Sequence, residues 1–371
     1  MPQPALLRKE KNNSTTPDNI CARNGLQWSG VILLNAILQD VLRSAILGLV
    51  LPAVLLGAVV TVSQDGEQES DVTTAPTQQT TAPTQQPTEP TAPPTQPTEP
   101  EPVATIWVIL RGERVEMVLE EYVTGVVLAE MPAAFAEEAL KAQAVASRTY
   151  ALRMCGDSYH AGAVCTDPGC CQGYLSPDVY VASYGTQAYC DRVRAAVDAT
   201  AGEVLTYQGR VIYCPYFSCS GGSTESAVAV WGSEIAYLQA VDSPGEEFAY
   251  TYQDVFSFTW EEFQRALGVR LEGDATSWFG VVCHTAGGGV DTMEIGGVFY
   301  RGTTLRALLG LPSTRFSITV DETQILVKTL GYGHRVGMSQ YGAEAMAQNG
   351  STYSQILAHY YTGTQLQTIV N

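Results

Sequence analysis

Positive charge is scarce in this chain. Its 371 residues include 20 Lys+Arg against 38 Asp+Glu, a formal net charge of −18. The imbalance persists in residues 103–371, which hold 15 basic and 28 acidic residues, a net −13. A domain this poor in cations cannot displace counterions from phosphates, which excludes sequence-independent nucleic-acid binding. Charge of either sign is thin, at 16% of residues, while glycine reaches 34. Such a composition suits a large core with many tight turns. Some motifs are missing too. Ser220 and Ser223 lie in neither an SxxK motif nor a nucleophile elbow, so neither reads as a nucleophile. The loose Gly-x-Gly at residues 331–333 is no phosphate loop.

Residues 45–62, AILGLVLPAVLLGAVVTV, are uncharged and just long enough to span a bilayer. Arg8, Lys9, Lys11, Arg23 and Arg43 precede the run, while Asp65, Glu67, Glu69 and Asp71 follow it. The positive-inside bias predicts a cytoplasmic segment at 1–44 and an outward-facing remainder. A cleaved signal peptide is the competing reading. Residues 63–102 form a linker dominated by TAPTQQ and PTEP units. Without large apolar side chains it cannot offset the entropy of ordering. Its Pro-rich part is expected to be disordered and extended, with a reach on the order of 90 Å.

The composition turns globular at residue 103. VATIWVIL and VEMVLEEYV predict strands around an Arg111-Gly112 turn, followed by the apolar run VTGVVLAEM ending at Glu130. A helix is expected over 136–153, a hairpin turning at Gln208-Gly209, and helices over 259–267, 303–310 and 339–350. Without βαβ alternation the class is α+β: a mixed, β-rich core with several helices around a cleft.

Glu130 stands among Val126, Val127, Leu128, Ala129 and Met131. Desolvation in such company raises a carboxyl pKa, as a general acid requires. The plainer alternative is a strand-end Glu paired to a base. Lys141 and Arg148, seven apart on the next helix, either steady Glu130, meet an anionic substrate, or belong to a solvated face. His160, Cys165, Cys170 and Cys171 cluster closely enough for zinc, with disulfides the rival reading outside a cell. Cys214 and Cys219 are a candidate bridge. Ser220, Gly221, Gly222 and Glu225 form a Gly-rich turn suited to close ligand approach or to a plain hairpin. In GYGHRVGMSQYGAEAM, His334 is placed to donate to a sugar or to Glu130, or is structural; Ser339, Gln340 and Tyr341 follow at a helix start.

EYVTGVVLAEMP, EEALKAQAVASRTYALR, CQGY, SGGSTESAVAVWG, GYGHRVGMSQYGAEAMAQNG and HYYTGT occur here in the order found in the stage II sporulation protein D family. The resemblance runs from about residue 103 to the end. It implies a peptidoglycan lytic transglycosylase, cleaving between N-acetylmuramic acid and N-acetylglucosamine without water. Glu130 would be its catalytic acid/base, with Lys141 and Arg148 important for activity. Ser220, Gly221, Gly222, Glu225, His334, Ser339, Gln340 and Tyr341 would line the substrate site. The family's zinc ligands match His160, Cys165 and Cys171. Its last motif usually reads GHGVG; Arg335 stands here in place of a Gly. The implied setting is the septal or engulfing membrane of a sporulating cell. The implied partners are glycan strands stripped of stem peptides, an amidase and a membrane scaffold (stage II sporulation proteins P and M). A non-catalytic amidase enhancer and a zinc amidase are the competing functions.

Overall fold

The computed structural model describes residues 104–369 except 157, 158 and 185. The expected cytoplasmic segment, membrane span and linker lie outside the described residues. Among the described residues no helix is long and apolar enough to cross a membrane.

Strands β1 (Thr105–Leu110) and β2 (Glu113–Val118) form the first hairpin, in register from Thr105↔Val118 to Leu110↔Glu113. Its two-residue loop places Arg111 at φ 53° and Gly112 at φ 87°. Two positive φ values give the turn that matches strand twist, as expected from Arg-Gly.

The apolar run that follows is not a strand. Leu119–Glu130 is helix α1, buried continuously from Tyr122 to Leu128. A helix buried on all sides has no polar stripe, so periodicity cannot separate it from a buried strand. The expected Ala-rich helix is α2, Glu137–Gly156, with Ala139, Ala142, Ala144, Ala146 and Ala151 fully buried. These short side chains let other elements approach the α2 axis closely. α1 packs on it, as do α4 (Gln187–Asp198) and β4 (Glu203–Tyr207). Between them lie β3 (Val164–Cys165), parallel to β1, and α3 (Pro177–Tyr184). β4 turns at Gln208-Gly209 into β5 (Arg210–Val211), the expected hairpin. β6 (Tyr216–Phe217), β7 (Gly222–Ser223), α5 (Ala227–Trp231) and β8 (Asp242–Ser243) complete the first part of this lobe.

A second lobe is then inserted. It contains β9 (Gln253–Phe258), α6 (Trp260–Leu267), β10 (Phe279–His284), β11 (Val290–Ile295), β12 (Val298–Arg301), α7 (Gly302–Leu308), β13 (Phe316–Val320) and β14 (Ile325–Leu330). Two three-stranded sheets, ordered β10-β11-β12 and β13-β14-β9, enclose a separate core that includes Phe263, Trp278, Ile295, Leu305 and Val327. Thr259 and Glu262 cap α6 reciprocally, which is why the helix starts where the sequence expects it.

The chain returns to the first lobe through β15 (Met338–Ser339), α8 (Gln340–Gln348), α9 (Tyr353–Tyr360) and β16 (Gln365–Thr368). β15 lies parallel to β6, and β16 pairs with β4. The return passes over the Ser-Gly-Gly loop at Gly221 and Gly331. A Cβ on Gly221 would stand 2.7 Å from the Gly331 nitrogen, and one on Gly331 2.7 Å from the Cys219 carbonyl oxygen. Only glycine allows these two backbones to cross. The architecture is α+β in two lobes.

Candidate active site

Glu130 is the last residue of α1. It is partly buried, its carboxyl hemmed in by protein, and burial pushes its pKa from 4.5 up to about 7. The single opposing influence is the Gly173 N–H, which donates to Oε1 at 2.5 Å. The carbonyl end of a helix also disfavours a negative charge, which works in the same direction as burial. Among the described residues no salt bridge involves Glu130. A carboxyl so placed is protonated in a large fraction of molecules near neutral pH.

Uncharged polar groups lie near it. The Gln340 amide donates to the Glu130 carbonyl at 3.0 Å, fixing the end of α1 against the start of α8. Tyr122 donates to Gln172 Oε1 at 3.3 Å, and Gln172 donates to the Tyr216 hydroxyl at 2.9 Å. Burial and the nearby Glu130 charge hold both phenols well above their ordinary range. They therefore stay protonated.

A side chain at Gly173 would crowd the acid. A Cβ there would stand 2.9 Å from Glu130 Oε1. Gly173→Ala is expected to displace the carboxyl and cut glycan cleavage at least tenfold while changing the unfolding temperature little. Product release from purified strands and a melting curve check this.

Lys141 and Arg148 do not hold Glu130. Lys141 pairs with Glu137 at 2.7 Å and Glu138 at 2.9 Å on its own helix. Arg148 is fully buried. It binds both Glu120 oxygens and donates to the carbonyls of Glu203 (3.1 Å) and Val197 (3.3 Å). Glu120 lies at the opposite end of α1, about 15 Å along the axis from Glu130. Arg148 thus anchors the helix that carries the acid.

Most residues of the expected substrate lining serve inside the protein. The Ser220 hydroxyl donates to Glu246 at 2.7 Å. The Gly221 carbonyl accepts from Arg315 at 2.8 Å, and Gly222 N–H bonds the Ser220 hydroxyl at 2.9 Å. Glu225 is 1% exposed and ion-pairs with Arg335 at 3.2 Å, so it is not a second catalytic carboxylate. Arg335 adopts φ 66° and also donates to the carbonyls of Ser220, Ser223 and Gly287. Here an L side chain occupies a backbone shape that glycine favours, and its charge is spent within the fold. His334 does not reach Glu130 by any hydrogen bond. Its Nδ1 accepts from Val336 N–H at 3.1 Å, its ring packs on Phe217 and Trp231, and burial lowers its pKa to about 4. It is a neutral structural histidine. Ser339 caps α8 by accepting from Gly342 N–H at 3.2 Å. Of this set, Gln340 bonds the Glu130 backbone, and Tyr341 packs edge-on to Phe135 at 5.1 Å.

The metal cluster has four members. Ligand atoms of His160, Cys165, Cys170 and Cys171 all lie within 4.8 Å of one another. The Asp167 carbonyl accepts from Cys170 N–H at 3.0 Å and Cys171 N–H at 2.9 Å, a turn that gathers both thiols. A hydrogen bond with Cys171 pushes the Cys165 thiol down, so one member already favours the thiolate. Three soft thiols and an imidazole suit tetrahedral zinc. Beside the expected His160, Cys165 and Cys171, the cluster brings in Cys170 as a fourth candidate donor. Among the described residues no cysteine forms a disulfide. Cys214 and Cys219 do not bridge, because the Cys219 thiol donates to Glu246 at 3.0 Å and Cys214 neighbours Tyr361.

The sequence reading missed Tyr122, Tyr216, Gln172, Gly173 and Glu246. Gln172-Gly173 directly follow the paired cysteines, which was a usable signal. Tyr122 lies eight residues before Glu130 in a run whose pattern reads as strand, which hides the helical neighbourhood.

The family model described as SpoIID, stage II sporulation protein, matches residues 112–207. That stretch contains Glu130, the four metal-type residues and Gly173. Stage II sporulation protein D of Bacillus subtilis (strain 168) is 41% identical over 254 residues, covering 67% of this chain and 74% of that protein. Its namesake in Bacillus amyloliquefaciens is 39% identical over the same shares. The amidase enhancer of Bacillus subtilis is 30% identical over 65% of this chain and 40% of that protein. With identity this high over most of such a relative, the chain belongs to the stage II sporulation protein D family.

Proposed function

We propose that this protein is a lytic transglycosylase that cuts peptidoglycan glycan strands during sporulation, with Glu130 as its one acid/base. The observation that carries this reading is a carboxyl enclosed at a helix end, held by the Gly173 N–H and paired to no cation among the described residues, an enclosure that pushes its pKa up to about 7. Protonated Glu130 gives its proton to the oxygen between muramic acid and glucosamine as that bond breaks. Positive charge develops at C1 of the muramic acid. The sugar's own C6 hydroxyl attacks C1, and the Glu130 carboxylate takes the hydroxyl proton. Proton and atoms balance without water, and the product carries a 1,6-anhydro end. One carboxyl suffices because no second one has to hold a water. Attack within a single sugar ring also carries a large proximity advantage. The Gly173 N–H orients the carboxylate, and the protonated phenols of Tyr122 and Tyr216 keep the surroundings polar but uncharged.

His160, Cys165, Cys170 and Cys171 would hold zinc. When bound, it would supply a fixed cross-link two residues before Gly173 rather than an activated water, since four protein donors fill a tetrahedral shell. This weighs against a zinc amidase. Metal analysis of the purified chain is expected to give one zinc. Cys170→Ser should weaken zinc binding more than tenfold and lower the unfolding temperature, because structural metal binding adds to folding stability.

The reading extends to an outward-facing domain held at the membrane by residues 45–62, working beside an amidase and a membrane scaffold. The similarity to an amidase enhancer favours a second role, activation of a cell-wall amidase. Mass spectrometry of digested strands separates the two, because an enhancer alone leaves no anhydro ends.

A further inference from the structure

The loop between β8 and β9 presents two aromatic rings to solvent. Phe248 is 50% exposed and Tyr250 38% exposed. Both rest against Tyr341, at centroid distances of 5.4 Å and 6.3 Å. Tyr341 is itself buried and backed by Phe135. Two inner rings therefore support two outer ones. The inner pair sits where the segment after Glu130 meets α8: the Gln340 amide donates to the Glu130 carbonyl at 3.0 Å, and the Ala136 N–H donates to Glu344 at 2.6 Å.

The loop is built, not slack. Two residues before Phe248, the Glu246 side chain is fully buried and accepts from Ser220 N–H, the Ser220 hydroxyl, the Cys219 thiol and the Ser243 hydroxyl. Its backbone turns twice, through Ala249 N–H to the Glu246 carbonyl and Tyr252 N–H to the Ala249 carbonyl, both at 2.9 Å. Holding large apolar rings in water on a rigid loop favours a ligand with an apolar face. The acidic balance of the domain disfavours an anionic one.

We propose that Phe248 and Tyr250, supported by Tyr341, form a stacking subsite for the neutral N-acetylglucosamine rings of a glycan strand, on the side of the first lobe where α8 meets the end of α1. The C–H face of an N-acetylated sugar lies on the electron-rich face of each ring, so binding needs no charge. The assignment rests on the lytic transglycosylase reading only for which glycan is held.

Full-length Glu130→Gln protein, which binds strands without cutting them, is the material for the test. The probes are glycan strands freed of stem peptides and a soluble hexamer of N-acetylglucosamine, with affinity measured by calorimetry. Phe248→Ala and Tyr250→Ala are each expected to weaken binding roughly tenfold, the scale for one lost aromatic face. Tyr250→Trp retains binding, and melting curves of the exposed-ring variants stay at the parent value. In the active protein Phe248→Ala raises KM and leaves kcat. If Phe248→Ala/Tyr250→Ala binds strands within about twofold of its parent, the subsite is wrong. That failure is separable from failure of the chemistry. Absence of anhydro ends from wild-type digests, with ring-dependent binding intact, overturns the lyase and leaves the subsite standing.

Discussion

Glu130→Gln is expected to lower formation of 1,6-anhydro ends by about a thousandfold, the scale of a lost general acid, and to make the protein more stable at pH 8. Gln keeps an oxygen for the Gly173 N–H and has no charge to bury. The sign follows from proton counting. In the folded state the carboxyl titrates at about 7, against 4.5 when unperturbed. Below that lower value both states hold the proton, and Glu130 carries no penalty. Between the two values only the folded state holds it, so stability falls as pH rises. Above the folded value the full cost is present, about 3 kcal/mol as an upper bound because part of the residue meets solvent. Glu130→Gln removes this cost, so its advantage is largest at pH 8 and vanishes at pH 4. Urea unfolding at both values, beside mass spectrometry of digested strands, makes the check. Wild-type levels of anhydro ends from the variant would end the proposed chemistry. A variant less stable than its parent at pH 8 would end the account of the buried carboxyl. The protonation step also predicts that wild-type activity declines as pH rises past about 7.

Arg335→Ala should cost stability heavily, about 3–5 kcal/mol. Glu225 Oε1 accepts from Thr285 at 2.7 Å, Gly289 at 3.0 Å and Arg335 at 3.2 Å. Its other oxygen is buried with no partner among the described residues. Removing the guanidinium leaves a carboxylate without its counter-charge in a place water does not reach. Arg335→Gly relieves the φ of 66° but leaves the same orphaned charge, so it should recover only a small part of the loss. Combining Arg335→Gly with Glu225→Gln should recover more, since breaking half of a buried pair is worse than replacing both. Denaturant unfolding of the two single variants and the double supplies the cycle. A cost below about 1 kcal/mol for Arg335→Ala would mean the buried pair contributes little to the fold.

Local chemistry explains which parts of this molecule were readable in one dimension. Arg111-Gly112 and Gln208-Gly209 mark their hairpins because few residue pairs accept two positive φ values. Thr259 and Ser339 mark helix starts by capping them. Glu130 was legible from its apolar neighbours, and the metal-type cluster from its crowding. What was hidden depends on chain segments far apart in sequence. Glu225 meets Arg335 across 110 residues, and Arg148 meets Glu120 across 28. A polar side chain looks available for substrate until its distant partner is known. α1 was hidden for another reason, since a helix without a wet face has no amphipathic signature.

Residue 252 enters the inserted lobe and residue 331 leaves it, and the Gly331 N–H donates to the Tyr252 carbonyl at 2.8 Å. Doorway and exit are therefore the same spot. A segment with such adjoining ends can be lengthened, pruned or exchanged during descent without rethreading the scaffold around it. Its lateral ties through Arg335 and Arg315 then become the contacts that any replacement cassette would have to supply or dispense with.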